Sequence, residues 1–329
     1  LFFNDFNPFA IAVANAAGTV ATVTVSQGDA MVMQVKVAAD NVKLIKLPWV
    51  AGLVQGSGPT KHTKAGAYRV RSDQPVTVYQ FSPVNADQSN DASLLLPVNT
   101  WSGKYVVAAW QHWADYNLPG FYTVTASEDG TVVKLAGPPG GTAVQAGGGV
   151  DAGGTGMALL NAGDVLTVVT ATGGDVTGTI VTADKPVQVI AGHECTQVPI
   201  GVIACDHLEE TIFPFEVLAT EYIVAPPVQI PDSSKEEAVF VRVVATTDAT
   251  QLKFTPAPPV DDVLALAGDF VEIASTTAKF KVEASHKILV AQYMVGQDGG
   301  YGTSDPSMLL AVPSIQYRDN YLIYAQSAW

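Results

Sequence analysis

Basic residues are scarce in this chain: 17 lysines and arginines stand against 31 aspartates and glutamates, a net charge of −14 over 329 residues. A nucleic-acid partner needs a basic footprint, and none is present. No run of 18 apolar residues occurs, so nothing reads as a membrane-spanning helix. The start, "LFFNDFNPFAIAVANAAG", lacks a basic region followed by an apolar stretch and does not read as a secretory signal. The end, "YLIYAQSAW", stops after a strand-like run, as if the natural protein continues. Enzyme signatures are missing too: no G-x-S-x-G, no H-E-x-x-H, no phosphate-binding glycine loop. The chain is therefore expected to be non-catalytic and to need no cofactor. There are two cysteines, ten positions apart.

What is abundant is alternation. "TVATVTV", "AYRVRSD", "PVTVYQF", "FYTVTAS", "PVQVIAG", "FVRVVAT" and "AKFKVEA" place β-branched residues at every second position, separated by Asp, Asn, Gly and Pro. No dozen residues hold a 3.6-residue period. The expectation is an all-β protein of antiparallel sheets.

The chain also repeats itself. Segments 68–109, 178–226 and 280–325 share one order of landmarks. An aspartate (Asp91, Asp206, Asp305) opens a strand leading to a proline (Pro97, Pro214, Pro313). A tyrosine (Tyr105, Tyr222, Tyr321) follows each proline by eight residues. The common aspartate reads as architectural, a short carboxylate that accepts backbone N–H bonds. Between these segments lies a second kind of unit, and hairpin turns are expected near Gly18, Gln74, Gly130, Lys185, Ala249 and His286. Two architectures fit. One is six four-stranded units, propeller-like with pseudo-threefold order; the other is three tandem β-sandwiches. Repeat 1 would span 1–110, repeat 2 111–226 and repeat 3 227–329. The glycine-rich stretch 136–156 is expected to be a loop too poor in side chains to pack, a surface insertion or a binding lid.

Three clusters could carry function. In "GHECTQVPIGVIACDHLEE" (192–210), Cys195 and Cys205 enclose nine residues. A disulfide there would stabilise by about 2–3 kcal/mol. Zinc held by Cys195, Cys205, His207 and His193, or a Cys205–His207 thiol pair, are the alternatives, although C-x9-C-x-H is not a zinc-knuckle spacing. Glu209 and Glu210 are expected on a solvated strand edge. Oxygen-rich "NADQSNDAS" (85–93) and "GQDGGYGTSDPS" (296–307) make calcium a candidate ion, without matching a defined calcium loop. The aromatic run from Trp101 to Tyr122 offers a binding surface at Trp110, His112, Trp113, Asp115 and Tyr116, since exposed Trp and Tyr suit protein interfaces and stack on sugars. For Trp101, Trp110 and Tyr105, packing between repeats is the competing reading.

The stretch "GTIVTADKPVQVIAGHECT…ACDHLEETIFPFEVLATEYIV" resembles the IgGFc-binding protein N-terminal domain family. Gly178, Thr179, Pro186, Val187, Gly192, His193, Cys195, Cys205, Asp206, His207, Pro214 and Tyr222 carry the resemblance. "DASLLLPVNTWSGKYVV", with Trp101, Gly103 and Tyr105, is similar to an earlier copy of the same pattern. Ala219 and Thr220 stand where that pattern usually has glycine. The resemblance implies a secreted or cell-surface binding or adhesion module with a protein or glycan partner. The absence of N-x-S/T sequons and the Ala/Gly/Val-rich style suggest a bacterial member. Antibody-Fc binding, from which the family takes its name, maps onto no particular residue here. A structural subunit that self-assembles through strand edges is the rival expectation.

Overall fold

A computed structural model describes residues 8–53, 58–84, 89–229, 231–303 and 305–319. Every strand pairing in it is antiparallel, and the only helices among the described residues are single 3-10 turns. None of these helices is long and apolar enough to cross a membrane.

The strands form three successive bodies. In the N-terminal body, a sheet ordered Asn41–Leu47, Phe9–Asn15, Thr77–Phe81, Ala92–Leu95 faces another ordered Ala30–Val37, Ala21–Gln27, Tyr68–Ser72. Alternate residues Ile11, Val13, Val23, Val25, Ile45 and Leu47 point between the sheets and are buried, as the period-2 pattern requires. The central body is one eight-stranded sheet folded over on itself, with the 17-residue strand Ile180–Thr196 as its spine. The first part of that spine pairs with Thr131–Ala136 and Ser102–Val106, the last part with Gly120–Ala126 and Asp206–Thr211. The C-terminal body repeats this plan on Phe280–Met294, which pairs first with Thr250–Thr255 and Ala219–Val224, then with Val239–Ala245 and Met308–Leu310.

Among the described residues the sheets have four, eight, seven and three strands, an arrangement that does not resolve into six four-stranded blades. The discrepancy starts at Lys185 and His286, where hairpin turns were expected and the chain runs straight on. A polar interruption between two alternating runs marks either a hairpin or a strand that bends from one layer into the next, and here it is the bend. Each bend is secured alike. Asp73 Oδ1 accepts the Thr22 N–H at 2.7 Å, Asp184 Oδ1 the Val132 N–H at 2.8 Å, and Ser285 Oγ the Gln251 N–H at 2.9 Å.

The strands bearing the tyrosines cross between bodies. Ser102–Val106 follows the last strand of the N-terminal body but pairs in the central sheet, and Ala219–Val224 passes from the central body into the C-terminal sheet. An expected boundary after residue 110 or 226 therefore falls beyond a strand that already belongs to the next sheet. Each crossing strand is locked by its tyrosine. Tyr105 is buried, its hydroxyl accepting the Ser102 N–H at 3.1 Å and donating to the Val187 carbonyl at 2.6 Å. Tyr222 does the same with the Ala219 N–H at 3.1 Å and the Ile288 carbonyl at 2.8 Å. Pro97, Pro214 and Pro313 each precede a 3-10 turn, where the missing N–H costs nothing. Tyr321 lies outside the described residues.

The central and C-terminal bodies are joined around Arg242, which is buried. Its Nη1 donates to the Ala109 carbonyl at 2.7 Å and to Thr177 Oγ1 at 2.8 Å, and pairs with Asp175 at 2.9 Å; its Nε pairs with Glu272 at 2.9 Å. The guanidinium lies 4.5 Å from the Trp110 ring and 4.8 Å from the Phe270 ring. The glycine-rich stretch 136–156 also packs, against expectation. Val144 and Val150 are buried, and backbone bonds such as Ala171 N–H to the Ala143 carbonyl tie it to the central sheet. Glycine makes this contact close: a Cβ on Gly147 would sit 2.0 Å from the Thr60 carbonyl oxygen.

Two substitutions test this construction. Arg242→Ala should destabilise the protein by about 3 kcal/mol in denaturant unfolding, because it leaves Asp175 and Glu272 unpaired at a covered interface. Tyr222→Phe should cost about 1–2 kcal/mol, because it strips two bonds from buried backbone groups.

Candidate functional site

Cys195 and Cys205 form a disulfide, with Cα atoms 5.6 Å apart. Both sulfurs are thus bonded to each other, which removes the thiol nucleophile and the zinc set that the spacing had left open. The bridge closes a loop at the end of the Ile180–Thr196 strand. Behind it, Gly192 allows the strands to approach closely: a Cβ there would lie 1.7 Å from the Leu208 carbonyl oxygen. The loop packs against a short hairpin, where Trp113 and Leu118 exchange backbone bonds of 2.9 and 3.1 Å and Asn117 turns the chain in the left-handed region at φ 52°. Trp113, Leu118 and Cys195, with Ile200 and Cys205 against them, make a small separate core. The loop is also tied to the C-terminal body, since the Gly296 N–H donates to the Val198 carbonyl at 2.9 Å.

The aromatic surface expected from the sequence separates into two parts. Trp110 is buried beneath Arg242 and 4.7 Å from the Tyr293 ring, so it packs between bodies and does not present a platform. His112 is buried with Nδ1 3.2 Å from Thr170 Oγ1, and Trp113 sits in the small core. Asp115 and Tyr116 remain outside. Tyr116 is 69% exposed, its ring 4.5 Å from that of Trp113. Ile203, within the disulfide loop, is 54% exposed. Sequence reasoning missed Ile203, whose only signal was an apolar residue inside a cysteine-closed loop.

Beside this knob the chain buries a polar seam. Three short strands meet there, Ala92–Leu95, Asp206–Thr211 and Met308–Leu310, one from each body. Asp91 touches the other two: its Oδ2 accepts the Glu209 N–H at 2.9 Å and the Met308 N–H at 3.4 Å, and Ser307 Oγ donates to Oδ1 at 3.3 Å. Asp206 Oδ1 accepts N–H bonds from Asn90 at 2.6 Å and from His207 at 2.7 Å. Ser93 Oγ accepts the Thr211 N–H at 2.7 Å and lies 2.8 Å from Glu210 Oε1. Glu209 is buried and Glu210 half-buried, not solvated as expected: they pair with the spine, and the N-terminal body covers them. The third aspartate, Asp305, is exposed, and Ser307 makes the contact at the seam instead.

Burial sets the protonation of this seam. It pushes Asp91, Asp206 and Glu210 up to about 7 each, against the pull of their backbone and serine hydrogen bonds. His207 is buried, which disfavours its charge, but Glu209, 3.7 Å away, and Asp91 outweigh this and raise it. His193 is driven down to about 3 by burial and by the neighbouring His112 and His207, so it stays neutral. Among the described residues no group of three or more His, Cys, Asp or Glu side chains is placed to hold a metal ion. Of the calcium candidates, residues 85–88 and 304 lie outside the described residues.

A groove of about 730 Å³ runs between the N-terminal and central bodies, lined by Tyr68, Val70, Trp101, Phe121 and Ile190 and reaching His207 and Glu209. Its walls come from segments more than a hundred residues apart, which no local pattern announces.

A family model described as IgGFc binding protein matches residues 91–329, from the seam aspartate through the disulfide loop to the end of the chain. No curated protein and no solved structure matches the chain.

The seam predicts a pH dependence. Unfolded carboxyls titrate near pH 4, so between about pH 4 and 7 the folded state holds protons that the unfolded state has released, and stability falls as pH rises. The raised His207 acts in the same sense, its contribution lost as pH rises through its folded value; His193 and His112, both pushed down chiefly by burial, act in the opposite one. Thermal melts should therefore shift downward from about pH 5 to about pH 8. Asp206→Asn, which keeps the Oδ1 acceptor, should shrink that shift by roughly a quarter.

Proposed function

This chain belongs to the IgGFc-binding protein family, and from that premise we propose that it is a non-catalytic, extracellular binding module that grips a protein partner with the disulfide-clamped knob. The observation that carries the reading is the contrast between a fixed base and an exposed tip. Tyr116 and Ile203 are exposed on a hairpin and a loop that share one small core, and a disulfide closes that loop. Ordering a loop on binding costs free energy; a tip already held still avoids that cost. A tyrosine supplies a large contact area with few torsions to freeze, and interface energy concentrates on such anchors. Asp115 and the chain's acidic surface favour a partner that is basic at the contact.

The disulfide fits an oxidising compartment outside the cytosol. We place the module at a bacterial cell surface, in adhesion to a host protein or to the glycans that such proteins carry. An IgG Fc fragment is the first protein to try, because the family description names it.

The test is binding to immobilised Fc and, in parallel, to mucin glycoproteins. Tyr116→Ala and Ile203→Asp should each weaken binding by about 1–2 kcal/mol, roughly tenfold, with unfolding unchanged, while Leu159→Ala, an exposed leucine on the central sheet, leaves it intact. Full affinity in both knob variants would refute the assignment.

A further inference from the structure

The net charge of −14 conceals a local reversal. Residues 8–84, which form most of the N-terminal body, hold seven of the chain's 17 lysines and arginines, but only three aspartates and no glutamate. The engagement of these cations differs as well. In the C-terminal body Lys253 pairs with Glu283, Lys279 with Glu236, and Lys281 with Glu221 and Glu283. Lys36, Arg69 and Arg71 are exposed, and among the described residues their charged groups pair with no acid.

Strand pairing gathers these cations on one face. Val23 and Val25 point into the core, so Thr22, Thr24 and Ser26 between and beside them point outward. On one side of this row Lys36 lies opposite Thr22, Gln34 opposite Thr24 and Met31 opposite Ser26. On the other side Arg71 lies opposite Thr24 and Arg69 opposite Ser26. Lys43 reaches the Lys36 corner, its Nζ donating to the Lys36 carbonyl at 3.3 Å. Opposed side chains start about 5 Å apart, and residues two apart on a strand about 7 Å apart. The face is therefore a line of three hydroxyls with cations along both flanks. Gln34 Nε2 donates to Thr24 Oγ1 at 3.1 Å, which leaves the Thr24 hydroxyl proton to donate outward. Asp73 stands at one end of the face, its Oδ1 accepting the Thr22 N–H. Asp29 and Asp40 lie in the turns beyond the strand ends.

The chemistry of this face selects its occupant. A guanidinium is a planar fork of donors that matches an oxyanion with several acceptor oxygens, and hydroxyls beside it add further donors. The cations lie in line along the strands, which suits a linear polymer carrying an anion on successive units. No aromatic ring lies on this face, since Tyr68 packs on the inner side, so bases have nothing to stack on and a protein partner has no aromatic anchor. We propose that the outer face of the three-stranded sheet binds a sulfated polysaccharide. The polymer lies along Ala21–Gln27, its sulfates on Arg69 and Arg71 at one flank and on Lys36 at the other. None of these residues belongs to the knob, so the two contacts are independent.

The probe is heparin, with desulfated heparin and a single-stranded DNA oligonucleotide as comparisons, measured on the full chain by surface plasmon resonance. Heparin should bind, and more weakly as salt rises. Arg69→Gln with Arg71→Gln should weaken binding about tenfold for each arginine, with the melting temperature unchanged. Lys134→Gln with Lys253→Gln, the same loss of charge on the other two bodies, should leave binding intact, as should Tyr116→Ala in the knob. On the unaltered chain, heparin should shield Arg69 and Arg71 from phenylglyoxal, read by peptide mass. No heparin binding, full binding by the double arginine variant, or unshielded arginines would overturn the proposal. Equal binding of desulfated heparin or of DNA would overturn it too, because the face would then not read sulfate on a sugar chain. So would a concentration-dependent oligomer abolished by the arginine variant with heparin unbound, which would mean that the face takes the acidic surface of a second copy.

Discussion

A β-strand edge presents unpaired backbone groups that must find a partner or be shielded. In this protein the partner comes from the preceding body. Ser102–Val106 leaves the N-terminal body and completes the central sheet, and Ala219–Val224 leaves the central body and completes the C-terminal one. Each of these two sheets is therefore finished by a strand that the preceding segment supplies. The buried hydroxyl of Tyr105 or Tyr222 fastens the joint by bonding at once to the start of the crossing strand and to the bend of the spine that receives it.

Joints of this kind are matched by a polar seam, where three short strands meet through Asp91, Ser93 and Asp206. Apolar contacts would hold these strands together without fixing their register. Carboxylates and hydroxyls that accept specific N–H groups do fix it, and in exchange place ionisable groups where water cannot reach them. The disulfide loop grows from the same place, because Cys205 immediately precedes Asp206. The knob is thus rigid for two reasons: its own small core and covalent closure, and a base set in the part of the molecule on which all three bodies converge. A binding tip on such a base keeps its geometry when free and when bound.

Much of this was legible in the chain. Alternation announced antiparallel sheets, and the Asp…Pro…Tyr landmarks marked the strand, the 3-10 turn and the locked crossing strand. The roles of Tyr105 and Tyr222 as packing residues follow from their recurrence. Other readings failed for identifiable reasons. Lys185 and His286 looked like turns because polar residues break an alternating run whether a strand reverses or bends. Glu209 looked solvated because charge suggests exposure, and only a neighbouring body could bury it. Trp110 looked available because nothing in its own segment reveals the guanidinium of Arg242 lying across it. The glycine-rich stretch looked empty because its packing is made by backbone.

The sequence by itself determined the β class and the alternating runs from which the strands are built, and it set the two cysteines ten positions apart, since period-2 burial and a short chain separation are local properties; it left open whether those cysteines pair. The tertiary structure decided which sheet each strand completes, which acids are buried, and which aromatic rings stay outside. Those outcomes depend on contacts between residues a hundred or more positions apart, and strand edges, desolvation and exposure exist only once such residues have been brought together.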